Sequence, residues 1–418
     1  MEKYIINGGN KLYGSVKIQT AKNSVLPILA AAVLTDGKVK ISDIPQISDV
    51  RNMIKILTKL GCKAVYSGND LTIDSSSADC YEIPSELAHE LRSSVFLLGS
   101  VISRFHTAKI AYPGGCDIGL RPVDLHLTGL KRLGVDITED NGYIVCKCDK
   151  LCGNEIMLDC PSVGATENIM LAAVKAEGVT VIKNAAREPE IEDLQRFLNT
   201  MGANVRGAGS GTVVIRGVKE LKGCEYVPIS DRIEAGTFLV TAAMCGGEVQ
   251  IERASAENIS SLLHKLRENG CKIHVNNDKI ILENHRRLTS VKSIETQPYP
   301  GFPTDLQAQM TALCCICKGQ SIITENLFET RFKYSPELRK MGADITVIGR
   351  NAFVRGVEKF HGATVVAHDL RGGAALVSAA LCAEGKSEIL GISHIDRGYG
   401  SFEYKLRNLG GDIVRVSV

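Results

Sequence analysis

The sequence has no excess of charge of either sign: 49 Lys and Arg face 47 Asp and Glu, a formal net charge of +2 over 418 residues. That balance excludes a bulk field as the basis for holding nucleic acid or an anionic membrane surface. No apolar run is long enough to span a bilayer, and the longest, Val25 to Leu34, is interrupted by Pro27. The first residues, Met1 to Gly9, lack the charged, apolar and small-residue regions of a signal peptide. No low-complexity tract is present. Cys146, Cys148, Cys152 and Cys160 lie close together but without a paired C-x-x-C spacing, which argues against structural zinc. The other cysteines sit largely in apolar periodic runs such as Leu313-Cys314-Cys315-Ile316-Cys317, as reduced, buried thiols do. These absences predict a cytoplasmic protein without disulfides, metal, cofactor, membrane partner or nucleic-acid partner.

What is present is repetition. A polar helix ending in Gly recurs at Gly61, Gly134, Gly202, Gly270, Gly342 and Gly410, at separations of 73, 68, 68, 72 and 68 residues. Glycine there is the C-cap that takes a left-handed backbone without a Cβ clash. Each copy has an apolar helix (Asn23–Leu34, Arg92–Ser103, Ala165–Ala176, Ala235–Met244, Asp305–Cys317, Gly372–Ala383). A short strand, a polar amphipathic helix and a hairpin follow it. Alternating helix and strand signals make the class α/β, built from six copies of one small unit.

The sixth copy stops one strand short, at Asp412–Val418, while the chain begins with two surplus strands, Tyr4–Ile6 and Ser15–Ile18. An unpaired edge is a liability, so residues 1 to about 21 are expected to complete the sixth repeat. The sequence therefore predicts two three-repeat domains, 22–229 and 1–21 plus 230–418.

One repeat carries an insertion. From the short strand to the capping glycine takes 19 to 21 residues in five copies but 24 from Ile110 to Gly134. The extra residues fall at Gly114-Gly115-Cys116, in a Gly/Pro loop with Arg121 five residues on, where a cation favours thiolate. A loop lengthened in one copy of a regular scaffold points to function. Cations also stand at helix N-termini, where they oppose the macrodipole: Lys22, Arg232 and Arg371. Arg121, Arg331 and Arg397 occupy strand-to-helix junctions of repeats two, five and six. Lys22, Arg121, Arg331, Arg371 and Arg397 together suit a small anion bearing phosphate and carboxylate.

These residues resemble the UDP-N-acetylglucosamine 1-carboxyvinyltransferase family of enolpyruvyl transferases. The carriers are Ala21-Lys22-Asn23-Ser24, Pro113-Gly114-Gly115-Cys116, Arg121-Pro122-Val123-Asp124-Leu125-His126 and Pro161-Ser162-Val163-Gly164-Ala165-Thr166. Further on come Pro303-Thr304-Asp305-Leu306-Gln307-Ala308-Gln309, Glu325-Asn326-Leu327-Phe328-Glu329-Thr330-Arg331, Asp369-Leu370-Arg371-Gly372-Gly373 and His394-Ile395-Asp396-Arg397-Gly398-Tyr399.

The resemblance implies an inside-out α/β barrel: two domains, each of three βαβαββ repeats. It implies transfer of enolpyruvyl from phosphoenolpyruvate to the 3′-hydroxyl of UDP-N-acetylglucosamine with release of phosphate, the first committed step of peptidoglycan synthesis. Cys116 would be the general acid, able to form a covalent phosphothioketal and open to fosfomycin; Asp305 would be the base. Lys22, Arg121 and Arg397 would hold the phosphate of phosphoenolpyruvate, Arg331 and Arg371 would complete the cationic site, and Asn23 would touch the reaction centre. Arg92, Arg121, Pro122, Val123, Asp124, Leu125, Ser162, Val163, Gly164, Asp305 and Leu327 would bind the UDP-sugar, with Tyr112–His126 as a closing lid. No metal or cofactor is implied. The alternatives are 5-enolpyruvylshikimate-3-phosphate synthase and a non-catalytic UDP-sugar-binding paralogue. Cys160 departs from members that carry Lys near that position.

Overall fold

The six glycines that end the polar helices all adopt left-handed backbone, with φ between +92° and +101° at Gly61, Gly134, Gly202, Gly270, Gly342 and Gly410. A side chain there would strain the turn that sends each helix into its hairpin. The repeat seen in sequence is thus a repeat of backbone geometry. The computed structural model describes residues 2–112 and 123–417.

Among the described residues the strands form six four-stranded sheets, one per repeat. Each has the same plan. In the third repeat Glu155–Met157 runs parallel to Val179–Lys183, which pairs antiparallel with Thr212–Arg216, which in turn pairs with Asn204–Arg206. A parallel neighbour needs a crossover, and the buried helix Val163–Ala173 supplies it.

The helices fall into two kinds, for the reason their sequences suggest. Arg232–Cys245 and Leu370–Cys382 are buried on every side and rich in Ala, Leu and Val. Ser48–Lys59 and Pro189–Thr200 bury one face only. An all-round apolar helix belongs inside and an amphipathic one at a surface. In one set of three repeats the buried helices Arg232–Cys245, Gln307–Cys314 and Leu370–Cys382 pack against one another. The sheets of that set expose alternate strand residues, as in Gln320–Thr324, where Ser321 and Ile323 are buried and Gln320 and Ile322 exposed. Two of the apolar helices open with 3-10 turns: Arg92–Phe96 precedes Leu97–Phe105, and Thr304–Leu306 precedes Gln307–Cys314.

The N-terminal strands divide their work, which corrects the sequence expectation. Glu2–Asn7 does enter the sixth sheet, between Lys386–Leu390 and Asp412–Ser417 and antiparallel to both. Leu12–Lys17 does not join it; it pairs parallel with Gly247–Glu252 of the fourth sheet. Each sheet needs a parallel strand ahead of its buried helix, and Leu12–Lys17 fills that place for Arg232–Cys245. Gly8 makes the turn between the two sheets possible, because a Cβ there would lie 2.3 Å from the carbonyl oxygens of Ala380 and Ala383. Glu225–Tyr226 does the corresponding job for the first repeat, pairing parallel with Lys38–Ile41.

The described residues form two compact units, 2–19 with 230–417 and 20–112 with 123–229, each with its own hydrophobic core. Each crossing segment is tied down within a unit by a buried carboxylate. In the first unit Glu234 accepts from the Gln19 amide at 2.8 Å and from Lys405 Nζ at 2.6 Å. In the second, Asp193 accepts from the Ile229 amide at 3.1 Å, from the Tyr226 hydroxyl at 2.7 Å and from the Ser24 hydroxyl. Among the described residues no helix is long and apolar enough to cross a membrane.

Candidate active site

In the unit that contains residues 230–417, three of the candidate residues meet. The Asp305 carboxylate accepts from Arg331 Nη2 at 2.9 Å through one oxygen and from Arg371 Nη2 at 3.1 Å through the other. The arginine side chains are 3% and 4% exposed, whereas that of Asp305 is 27% exposed. The cations are therefore set into the fold and the carboxylate faces outward. Guanidinium groups of this kind bind phosphate and carboxylate bidentately. Burial works against the charge of Arg371, but Asp305, Tyr399 and Asp231 outweigh it and hold its pKa above the ordinary value. The buried Nε of Arg331 has no hydrogen-bond partner among the described residues.

Local structure explains how each group is held. Asp369 caps the Leu370–Cys382 helix, accepting from the amides of Arg371 at 2.9 Å and Gly372 at 3.0 Å. Arg371 therefore leaves the first helical turn at a fixed angle. Asp305 lies in the 3-10 turn Thr304–Leu306, whose Thr304 carbonyl accepts a second bond from Arg331 at 3.2 Å. Glu325, fully buried, grips both sides of this region. It accepts from the hydroxyls of Thr296 and Thr304, each at 2.9 Å, and from the amides of Leu327 at 2.9 Å and Phe328 at 3.1 Å. Leu327, a candidate for the sugar nucleotide, is thereby set in the same loop as Arg331. Arg397 ends the 3-10 helix Ile392–Arg397 and is half-buried.

In the other unit Lys22 begins the Lys22–Ala31 helix, buried, with its ammonium 2.5 Å from the Asp49 carboxylate. The Asp49 carboxylate offsets the cost of a cation at a helix N-terminus. Asn23 follows it, half-buried. Arg92 lies at the start of its 3-10 turn. Ser162 caps Val163–Ala173 by accepting from the Ala165 amide at 3.3 Å. Val163 and Gly164 are half-buried beside it, and Gly164 must be small because a Cβ would come within 3.0 Å of the His126 ring. His126 is fixed in turn by Asn168, whose Nδ2 lies 3.2 Å from its Nδ1, while Asn168 Oδ1 accepts from the Gly99 amide at 2.7 Å. Val123 immediately precedes the Asp124–Arg132 helix, on which Asp124 is exposed and Leu125 half-buried. Cys116, Arg121 and Pro122 lie outside the described residues. At the edge of that segment the Tyr112 hydroxyl bonds Glu139, which together with slight burial pushes its pKa up to about 12.

Sequence reasoning missed the residues that hold these groups: Asp49, Glu325, Asn168 and the Thr237–Gln309–Tyr399 group described below. A buried carboxylate or amide looks in sequence like any surface one. The available signal was that Gln309, Glu325 and Tyr399 stand inside motifs that carry the family resemblance.

Glu167 is a further surprise. It is 1% exposed, and neither carboxyl oxygen has a hydrogen-bond partner among the described residues. Burial, then the charges of Glu190 and Glu188, push its pKa well above the ordinary carboxyl range. The unfolded chain releases this proton as pH rises past about 4.5 while the folded chain keeps it, so the group costs stability progressively above that pH. Glu167→Gln is therefore expected to raise the melting temperature at pH 8 and leave it unchanged at pH 4. Equal shifts at both pH values would contradict this account.

Comparison with known proteins agrees with the fold. The model of the EPSP synthase (3-phosphoshikimate 1-carboxyvinyltransferase) family matches residues 6–406. The chain is 55% identical over 416 residues to UDP-N-acetylglucosamine 1-carboxyvinyltransferase 2 of Caldanaerobacter subterraneus subsp. tengcongensis, covering 100% of both chains. It is 48% identical over 418 residues to UDP-N-acetylglucosamine 1-carboxyvinyltransferase 2 of Clostridium tetani, again covering 100% of both. Among solved structures, the enolpyruvyl transferase NikO from Streptomyces tendae superposes with a TM-score of 0.90 at 24% identity, over 100% of this chain and 99% of that one. EPSP synthase from Acinetobacter baumannii gives 0.77 at 18% identity over 100% of both; these two establish the fold alone. With the family match running through both units and the relatives about half identical from end to end, this chain is a transferase belonging to the EPSP synthase family.

Proposed function

We propose that this chain transfers the enolpyruvyl group of phosphoenolpyruvate to the 3′-hydroxyl of UDP-N-acetylglucosamine and releases phosphate. The observation that carries the chemistry is the outward-facing Asp305 carboxylate clasped by the buried Arg331 and Arg371. It puts a base beside two cations of a type that binds phosphate and carboxylate bidentately.

The bond changes balance without an oxidant, metal or cofactor. Asp305 takes the proton of the sugar hydroxyl as its oxygen attacks C2 of phosphoenolpyruvate. Cys116 delivers a proton to C3, giving a tetrahedral ketal. Loss of a proton from C3 then expels phosphate from C2 and restores the double bond. Lys22, Arg121 and Arg397 hold the phosphate and stabilise it as it leaves. Asn23 contacts the sugar side of the centre. Arg92, Arg121–Leu125, Ser162, Val163, Gly164 and Leu327 hold the UDP-sugar. The product enters peptidoglycan synthesis, which places the enzyme in the cytoplasm. Fosfomycin would inactivate it by alkylating Cys116.

The experiment is mass spectrometry of the protein after incubation with both substrates, run beside a phosphate-release assay. The expected result is enolpyruvyl-UDP-N-acetylglucosamine in solution and, in a fraction of the protein, an adduct on the Cys116 peptide. Turnover of shikimate 3-phosphate in place of the UDP-sugar would instead make this a 5-enolpyruvylshikimate-3-phosphate synthase. Binding of both ligands without phosphate release would make it a sensor. Undiminished activity after long exposure to fosfomycin would remove the role assigned to Cys116.

A further inference from the structure

Behind Arg371 lies a buried polar group drawn from all three repeats of its unit. Thr237 comes from the Arg232–Cys245 helix, Gln309 from Gln307–Cys314, and Tyr399 follows the 3-10 helix that ends at Arg397; all are at most 1% exposed. Arg371 Nη1 lies 3.2 Å from the Tyr399 hydroxyl, that hydroxyl 2.8 Å from Thr237 Oγ1, and Gln309 Nε2 3.0 Å and 3.3 Å from Thr237 Oγ1 and Tyr399 OH.

The protons can be assigned by counting. The Thr237 hydroxyl donates its one proton to the Ile233 carbonyl at 2.9 Å. It therefore receives from its other neighbours, and the Tyr399 O–H points at Thr237. The phenolic oxygen is left to accept, which it does from Arg371 and Gln309. Gln309 must present its amino group, because no proton remains for a carbonyl in that place. Its Oε1 accordingly has no partner among the described residues. Every hydrogen-bonding site of the Tyr399 hydroxyl is used, and the guanidinium of Arg371 also lies over the Tyr399 ring, 5.5 Å from its centroid.

We infer that Tyr399 is a positioning residue for enolpyruvyl transfer. Its hydroxyl, aimed by Thr237 and Gln309, fixes the inner edge of Arg371, so that the outer edge meets Asp305 and the anionic substrate in one orientation. A buried guanidinium with a long side chain otherwise has no single resting place. The inference rests on the function proposed above.

Tyr399→Phe removes the acceptor and keeps the ring. The expected result is a folded enzyme whose KM for phosphoenolpyruvate rises about tenfold, while its KM for the UDP-sugar stays within about twofold. In an Arg371→Lys background the same change is expected to alter kcat/KM by less than about twofold, since its effect passes through Arg371. Thr237→Val keeps the shape but removes the acceptor for the phenolic proton. It is expected to give a smaller loss, about threefold, again confined to phosphoenolpyruvate, and it serves if Tyr399→Phe does not fold. Equal effects on both substrates, or additive losses in the double variant, would overturn the inference. If the wild type turns over and Tyr399→Phe matches it, this inference alone fails. If the wild type releases no phosphate from the two substrates, the functional reading falls and takes this one with it.

Discussion

Asp305→Asn is expected to lower kcat by about 10³-fold, within the range that removal of a general base produces. The substitution keeps the size of the side chain and removes its basicity. It also turns an amide toward two guanidiniums, where one N–H donor faces another. Asp305 is 27% exposed, so the variant is expected to fold. Arg331 and Arg371 would then lose the Asp305 charge that lies against them, and an anion should bind at least as well as before. The expected signature is therefore a collapse of kcat with an unchanged or lowered KM for phosphoenolpyruvate, read by steady-state phosphate release. A kcat within about tenfold of wild type would mean that another group takes the hydroxyl proton. A rise in the KM for phosphoenolpyruvate would mean that the carboxylate organises the arginines more than it reacts.

Glu325→Ala should give the largest loss of stability. Four donors converge on this buried carboxylate: the Thr296 and Thr304 hydroxyls and the Leu327 and Phe328 amides. The hydroxyls can turn elsewhere, but the two amides cannot. Stranding them, and emptying the space the side chain filled, is expected to cost about 3–5 kcal/mol. For a unit of this size that corresponds to a fall in melting temperature of about 6–20 °C, measurable by calorimetry. Activity should fall as well, because Thr304 and the Leu327–Arg331 loop lose the anchor that sets Asp305 against Arg331. Glu325→Gln, with an amino group toward those donors in place of one acceptor oxygen, should fall between the two. A melting temperature within about 2 °C of wild type in Glu325→Ala would show that the loop is held by its packing instead.

Much of the fold could be read because the repeat is written in residues with few conformational options. Gly at the end of each polar helix needs positive φ, and six glycines at matched spacing announce six helix ends. Helices apolar on every side announce an interior position. The destination of Leu12–Lys17 could not be read, because a short apolar strand pairs equally well with any sheet that has an open edge. Its place in the fourth sheet is set by where Gly8 lets the chain turn and by the sheet that lacks a parallel strand. Arg331 and Arg371, which meet at Asp305, stood out in the sequence because a cation at a helix start or strand end has no structural use there; Asp305 itself, an ordinary cap residue in such a place, stood out only through the family resemblance. The supports of the site did not stand out: Glu325, Asp49 and Tyr399 are common residue types whose meaning comes from burial.

By itself the sequence determined the α/β class, the six-fold repetition and the lengthened second repeat that carries Cys116. It also determined which cations stand where a scaffold has no need of them. Each of these is local, arising from residue type and spacing along the chain. Tertiary structure alone decided that Arg331 and Arg371, 40 residues apart, hold opposite oxygens of Asp305. It also decided that a tyrosine fixes one of those arginines from behind. Hydrogen bonding is directional and acts over about 3 Å, so which partners meet depends on how the repeats pack, and no pattern within one repeat contains that.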